Sequence, residues 1–344
     1  MQNTISVANM NGIVDQIVSS NKKLIYVAGA SASGKSYVAG LIAKELEAKG
    51  KKVLTISSDS YYKDDTWLKS VLYGTFDHPD LIEYELLQKH IAQCMNNQAF
   101  AMPSYNFKES KRDIAITLQG TYDYVIIEGL YTISKLSDEF DPLKIFVTAP
   151  EEDLVVRRLL RDPVRVGEPL YMVVGALNNV YPMWNIFGKT QHPQADLVID
   201  NYYDLLAKNG KKMYHEPWDN NEKILGEKVA EEYVVSYVYN DSTEDDNGKL
   251  IVEEHYDKKG GIMKSVTIVK TRSTEHGKKE TIEHISMSIS KAGILTQIHN
   301  LLQVAGLNYE ETFAYDAQHY ENNGAQVIVE KRLGDIVYIR YETK

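Results

Sequence analysis

LIYVAGASASGKSYVAGL, residues Leu24 to Leu41, is the stretch whose reading decides the fold. Leu24 to Ala28 is a run of apolar and β-branched residues of the kind that forms a buried strand. It leads directly into Gly29-Ala30-Ser31-Ala32-Ser33-Gly34-Lys35-Ser36, which fits G-x-x-x-x-G-K-[ST]. Val38, Leu41, Ile42 and Leu46 then recur at helical spacing. Gly29 and Gly34 let the backbone turn where a Cβ would clash, so the amides from Gly29 to Tyr37 can point inward as an anion nest. A helix starting near Lys35 adds its positive dipole end to the same spot. Lys35 can reach the β- and γ-phosphates, and the Ser36 hydroxyl can ligate Mg²⁺. A strand before and a helix after set this apart from a chance Gly/Ser loop. The stretch reads as a nucleoside triphosphate site, with ATP and Mg²⁺ as the expected ligands.

The chain has 344 residues, enough for two cores. Its 43% hydrophobic and 25% charged fractions are those of a soluble globular protein. The 38 basic and 48 acidic residues give a net charge of −10, which argues against a general nucleic-acid surface. The single cysteine, Cys94, reads as a helix core residue, and without a second one no intrachain disulfide can form. No apolar run approaches a membrane span, and no secretion signal opens the chain, so a cytoplasmic protein without a membrane partner is expected. A homo-oligomer is left open.

Ahead of the first strand, Val7 to Val18 has the spacing of a short amphipathic helix. Lys52 to Ser58 is a second buried strand, delivering Asp59-Ser-Tyr-Tyr62 at its carboxyl end, where parallel sheets bind ligands. Pro79 and Asp80 suit a helix start, with the helix over Leu81 to Cys94. Phe100 to Tyr105 and Ile114 to Leu118 alternate as two short strands, and Tyr122 to Ile127, Lys144 to Thr148 and Ala195 to Asp200 complete the strands of this half. Helices are expected over Glu151 to Arg161 and on to about Val180, interrupted at Pro163 and Gly167. Strands alternating with helices imply an α/β fold with a five-stranded parallel sheet. The composition shifts near residue 207, and the expected division is a P-loop domain over 1–206, a linker over 207–221 and a β-rich domain over 222–344. That last part reads as strands over Glu232 to Tyr239, Lys249 to Tyr256, Met263 to Thr271, Thr281 to Ser290, Ala325 to Glu330 and Asp335 to Tyr341, with one helix over Ile294 to Leu307.

Phosphoryl transfer needs a phosphate cradle, a metal, a group that orients the acceptor hydroxyl, and cations for the transferring charge. Asp59 can accept the hydroxyl proton or bind Mg²⁺ through water; a turn cap is its alternative role. Glu128, ending an apolar strand, is costly to bury alone; a metal role beside Ser36 or an arginine partner would account for it. Arg158 and Arg161 share a helix face and can clamp phosphates, or simply face solvent. Tyr62 and Tyr105 can hold a sugar or base, or pack.

From Leu24 to about Asn201 the chain resembles the uridine kinase branch of the P-loop kinases. The resemblance rests on GASASGKS at Gly29–Ser36, DSYYKD at Asp59–Asp64, FDHPD at Phe76–Asp80, PSYNFKESKR at Pro103–Arg112, VIIEGLY at Val125–Tyr131 and RRLLRD at Arg157–Asp162. It implies Asp59 as catalytic base, Tyr62, Phe76, Asp77, Tyr105 and Arg112 as acceptor-side residues, and Arg158 and Arg161 as phosphate-binding arginines. Three positions depart from the family pattern. Ser110 replaces a base-reading histidine, Val166-Gly167-Glu168 replaces an R-G-R lid with Arg165 as substitute, and His192 replaces a lysine.

RDxxRxG followed by VYPM further resembles a sub-branch in which such a kinase is fused to a CYTH domain, the triphosphate tunnel fold. There the strand expected to carry E-x-E-x-K reads Glu283-His-Ile-Ser-Met287, keeping one of the three, and Lys264, Lys270, Arg272, Lys331 and Arg332 read as surface charges. An α+β, mostly antiparallel, CYTH-like domain inactive as a tunnel enzyme is expected. The leading functional expectation is ATP- and Mg²⁺-dependent transfer to the 5′-hydroxyl of a nucleoside or related small alcohol. The alternatives are a nucleoside triphosphate or pyrophosphate hydrolase, and a non-catalytic ATP-sensing module.

Overall fold

The computed structural model describes residues 3–64, 74–107, 109, 111–166, 170–201, 211–219, 225–241, 249–257, 263–273, 279–288, 294–333 and 335–342. Two compact units emerge, Met1–Pro150 with Arg161–Tyr203, and Glu151–Leu160 with Asp204–Lys344.

The first unit runs β1 (Asn3–Ser6), α1 (Met10–Ser19), β2 (Leu24–Gly29), α2 (Lys35–Ala48), β3 (Val53–Ser57), α3 (Tyr84–Met95), β4 (Phe100–Asn106), β5 (Lys111–Leu118), β6 (Tyr124–Gly129), the short α4 (Thr132–Lys135), β7 (Leu143–Thr148), the end of α5 (Glu151–Val166, whose Glu151–Leu160 part groups with the second unit), α6 (Leu170–Met183) and β8 (Leu197–Asp200). Its sheet is parallel, in the order β1-β8-β7-β2-β6-β3, and has six strands rather than the expected five. The sixth is β1, a short polar edge strand reading NTIS that pairs with β8 from Asn3↔Leu197 to Ser6↔Asp200. Edge strands need no apolar run, so its sequence carries no strand signal. Central β2 is buried along its whole length, as a parallel strand covered on both faces must be. Ile13 and Ile17 of α1 and Val38 and Ile42 of α2 pack with Ile25 and Val27 in one core.

Two boundaries differ from expectation. The helix expected from Leu81 starts at Tyr84, because Pro79–Leu81 forms a separate 3₁₀ turn capped by the His78 Nδ1, which accepts from the Asp80 amide at 3.2 Å. The helix from Glu151 continues through Pro163 to Val166. Gly167, read as a breaker, lies outside the described residues.

In the second unit β9 (Lys211–Pro217), β10 (Glu227–Asp241), β11 (Lys249–Asp257), β12 (Met263–Ser273), β13 (Lys279–Ser288), α7 (Ile294–Val304), β14 (Leu307–Asn322), β15 (Ala325–Arg332) and β16 (Asp335–Glu342) follow in order. The strands close into an antiparallel barrel, β10-β11-β12-β13-β9-β16-β15-β14. The linker reading of 207–221 is therefore corrected over Lys211–Pro217, which pairs with both β13 and β16. Leu307–Asn322, not read as a strand, spans 16 residues between β10 and β15. The helix expected to reach Leu307 ends at Val304, and Gly306, at φ +96°, turns the chain into β14.

Charged side chains meet inside the barrel. Arg340 of β16 and Glu253 of β11 belong to strands that are not neighbours, so they meet across the lumen. Arg340 donates to Glu253 at 2.6 and 3.2 Å, to Glu330 at 2.6 Å and to the Tyr315 hydroxyl at 2.7 Å. Burial favours the neutral form of Glu253, but the Arg340 charge outweighs it and holds the carboxyl below its ordinary value. Further along, Glu232 accepts from His255 at 2.9 Å and His319 at 2.8 Å. Arg332, expected at the surface, lays its guanidinium 4.2 Å over the Phe313 ring. Glu283 lies on β13 and Lys264, Lys270 and Arg272 on β12, with side chains outside those described.

Candidate active site

The phosphate cradle sits where β2 ends. A Cβ on Gly29 would lie 2.5 Å from the Val147 carbonyl oxygen and 2.7 Å from Ser33 Oγ. Gly34 is left-handed, at φ +88°, and a Cβ there would collide with Asn201 Nδ2. That amide group, fully buried at the end of β8, donates to the Ser33 carbonyl at 2.7 Å. The Ser33 amide in turn donates to the Ala30 carbonyl at 3.0 Å. Ala32 also takes a positive φ, +69°, so the loop holds its turn even without a glycine there. Gly34 is the N-cap of α2 and brings no side chain to its amides, which remain for an anion. Ser31 is half-buried, and Tyr37, in α2's first turn, is 46% exposed.

Lys35 is buried at this corner. Burial pushes its ammonium below the ordinary lysine value, while the charges of Glu128 and Asp59 pull it back up. The Ser36 hydroxyl donates to Glu128 Oε2 at 3.0 Å. Burial raises the Glu128 carboxyl, and Lys35 opposes that rise. These hard oxygens suit Mg²⁺, which takes one or two protein oxygens and completes its shell with phosphates and water. Among the described residues no group of three or more His, Cys, Asp or Glu side chains could hold a metal ion.

Asp59 follows β3, and its amide donates to Ser57 Oγ at 3.3 Å. Its Oδ2 pairs with Arg165 Nη2 at 3.1 Å, and the same guanidinium lies 3.9 Å over the Phe107 ring. Arg161 donates to Ser31 Oγ at 3.1 Å and pairs with Asp162 at 2.7 Å, so it reaches the cradle directly. Arg158, on the same helix, is 8% exposed.

The side expected from the sequence to face the acceptor is aromatic. Tyr62, Tyr105 and Phe107 form a triangle with ring centroids 5.1 to 5.7 Å apart. Tyr62 is only 3% exposed and donates from its hydroxyl to the Phe76 carbonyl at 3.0 Å, so it packs behind the surface rather than lining an open cleft. Phe76 is 37% exposed. Asp77 is buried, with its carbonyl taking the Tyr131 hydroxyl at 2.5 Å. Arg112 donates to the Tyr62 carbonyl at 3.0 Å and pairs with Glu83 at 2.5 Å, tying the β4–β5 hairpin to the chain beside Asp59.

Residues 24–206 match the model of the phosphoribulokinase/uridine kinase family. The chain belongs to this family. A uridine kinase from Aeromonas hydrophila is 33% identical over 183 residues, 51% of this chain and 85% of the relative. One from Staphylococcus haemolyticus is 32% identical over 184 residues, 52% and 87% of the two chains. A solved structure described as a possible uridine kinase from Bacillus stearothermophilus superimposes with a TM-score of 0.42 at 15% identity, over 56% of this chain and 97% of the other.

Within this P-loop kinase unit, the cradle, Lys35, Ser36, Glu128, Asp59, Arg161 and Arg165 come together, while Arg112 is engaged inside the protein. His192 packs edge-on against Phe146 at 5.1 Å. Ser110, Gly167 and Glu168 lie outside the described residues. Sequence reasoning missed Asn201 and Phe107. Asn201 directly follows β8, at the carboxyl end where parallel sheets place ligands, and Phe107 extends the aromatic run after Tyr105, so each position left a usable signal, although the Asn201–Ser33 partnership did not. No helix of the described residues is long and apolar enough to cross a membrane.

Proposed function

We propose that the chain transfers the γ-phosphoryl group of ATP, with Mg²⁺, to the 5′-hydroxyl of a nucleoside. The observation that carries the reading is the cluster of Lys35, Ser36, Glu128 and Asp59 at one mouth of the cradle, in a family of kinases. Asp59 takes the proton of the acceptor hydroxyl as its oxygen bonds to the γ-phosphorus and the bond to the ADP oxygen breaks. Lys35 and Arg161, with Arg158 on the same helix, offset the charge on the transferring group. Arg165 orients Asp59 and closes over the Phe107 side of the acceptor. Ser36 and Glu128 would hold the metal, which would supply charge neutralisation for the polyphosphate. Asp77, Phe76, Tyr62 and Tyr105 shape the acceptor side. The test is a nucleoside panel with ATP: product from at least one nucleoside, lost in Asp59→Asn, is expected. Phosphate release without any acceptor, abolished by Lys35→Ala, would point to a hydrolase instead, and ATP binding with no turnover to a sensor.

The P-loop domain is taken to end near residue 206 and the barrel to start at Lys211. A closed antiparallel barrel with charged side chains in its lumen supports a CYTH-like reading of the second domain. Its lumen arginine, Arg340, is already matched by Glu253 and Glu330, which favours a barrel that does not hydrolyse polyphosphate. Tripolyphosphate left intact by the full chain with Mg²⁺ or Mn²⁺ is the expected result.

A further inference from the structure

Tyr84 opens α3, and its hydroxyl is buried with no hydrogen-bond partner among the described residues. Backbone contacts hold this turn against the segment that follows Asp59: the Glu83 amide donates to the Tyr61 carbonyl at 2.9 Å, the Lys63 amide donates to the Leu81 carbonyl at 2.9 Å, and Tyr62 bridges Ile82. The Glu83–Arg112 pair fastens the same turn to the hairpin. The charges of Tyr131 and Asp59 act on the Tyr84 hydroxyl, and its own acts on Tyr62, which puts it within electrostatic range of Asp59. Other tyrosines around it use their hydroxyls within the fold. Tyr62 donates to Phe76, Tyr131 to Asp77, and Tyr61 pairs with His90 at 3.0 Å. Burial pushes the Tyr84 phenol well above its ordinary value, which keeps it a neutral donor. A buried hydroxyl without a partner is costly, and one kept within range of Asp59 is suited to take its partner from a bound acceptor, with an internal water as the alternative.

We propose that the Tyr84 hydroxyl donates a hydrogen bond to an oxygen of the phosphoryl acceptor, selecting hydroxyl-bearing acceptors over analogues that lack that oxygen. The inference rests on the kinase reading above and names a specificity residue for it.

The test compares the full chain with its Tyr84→Phe variant on nucleosides and their deoxy analogues, reading acceptor KM, kcat, ATP KM and Tm. The expected result is a rise of about three- to tenfold in acceptor KM, from one lost neutral hydrogen bond. ATP KM stays unchanged, and Tm is equal or higher because the ring still packs. One deoxy analogue then shows the same KM with both proteins, which identifies the oxygen. An active wild type with an unaltered acceptor KM in Tyr84→Phe overturns this inference alone. So does a lower Tm with KM unchanged, which would mean that the hydroxyl serves an internal water. A wild type that phosphorylates nothing in the panel overturns the kinase reading and this inference with it.

Discussion

Replacing Gly34 by alanine tests whether the cradle is shaped by one buried amide. At φ +88° an L-residue costs about 1–2 kcal/mol. The new methyl also meets Asn201 Nδ2, which must move and release the Ser33 carbonyl it holds at 2.7 Å. A buried carbonyl left without its donor costs about 1–3 kcal/mol more. The total of about 2–5 kcal/mol corresponds to a fall in Tm of about 5–15 °C for a unit of this size. Asn201→Ala alone loses only the second part. In the Gly34→Ala background, however, Asn201→Ala removes the obstacle itself, so its further cost falls to near zero and the coupling is about 1–3 kcal/mol. Thermal melts of the four proteins, with ATP binding followed by titration, measure the cycle. Simple additivity of the two substitutions refutes the argument, because then the amide is not what demands glycine.

Four further outcomes are expected. Lys35→Met weakens ATP binding by about 10- to 100-fold, one charge-assisted contact, in a nucleotide titration, with the far-UV spectrum unchanged. Arg165→Met leaves Tm within about 2 °C, since the pair with Asp59 is about one-third exposed at each end, 34% and 31%, yet lowers kcat/KM by about tenfold or more. Arg340→Met strands two buried carboxylates and destabilises the barrel by about 3–5 kcal/mol in urea unfolding, while adding Glu253→Gln and Glu330→Gln restores much of the loss. The barrel is also pH-dependent on both sides. Burial alone would raise Glu232, but His255 and His319 pull it down to about 2, so its contribution is present above the unfolded value and lost as pH falls toward 2. Burial alone would lower His255, but Glu232 and Glu253 raise it, so its contribution is present below the unfolded value of 6.5 and lost as pH rises through the raised one. Urea midpoints should therefore peak at about pH 5–6, with His255→Gln flattening the alkaline limb.

The cradle and its strand–loop–helix frame were legible in the sequence because every signal there is local: an apolar run, two glycines, a lysine and a helical period within one short stretch. What escaped was long-range or polar. Asn201 acts on Ser33 from the far end of the unit, and no local pattern marks that partnership. β1 is polar and sits at an edge. Lys211–Pro217 opens with two lysines and ends in proline, a linker's composition, and becomes a strand only through partners on both sides. Leu307–Asn322 does alternate, with Phe313, Tyr315 and Ala317 facing one way, but its many charged outer positions hide the period. The Asp59–Arg165 pair could be anticipated only as two separate candidates, because their meeting depends on how α5 ends.

Pairing between β9 and β16 also dictates how the barrel must be made. A ribosome delivers β9 first and the strand that completes its second edge last, so the earliest segment waits with unsatisfied amides while every intervening hairpin forms. Such a ring assembles slowly and late, and shortening it at the final strand would reopen two seams, one on β9 and one on β15, each a template for sticking to a neighbouring chain.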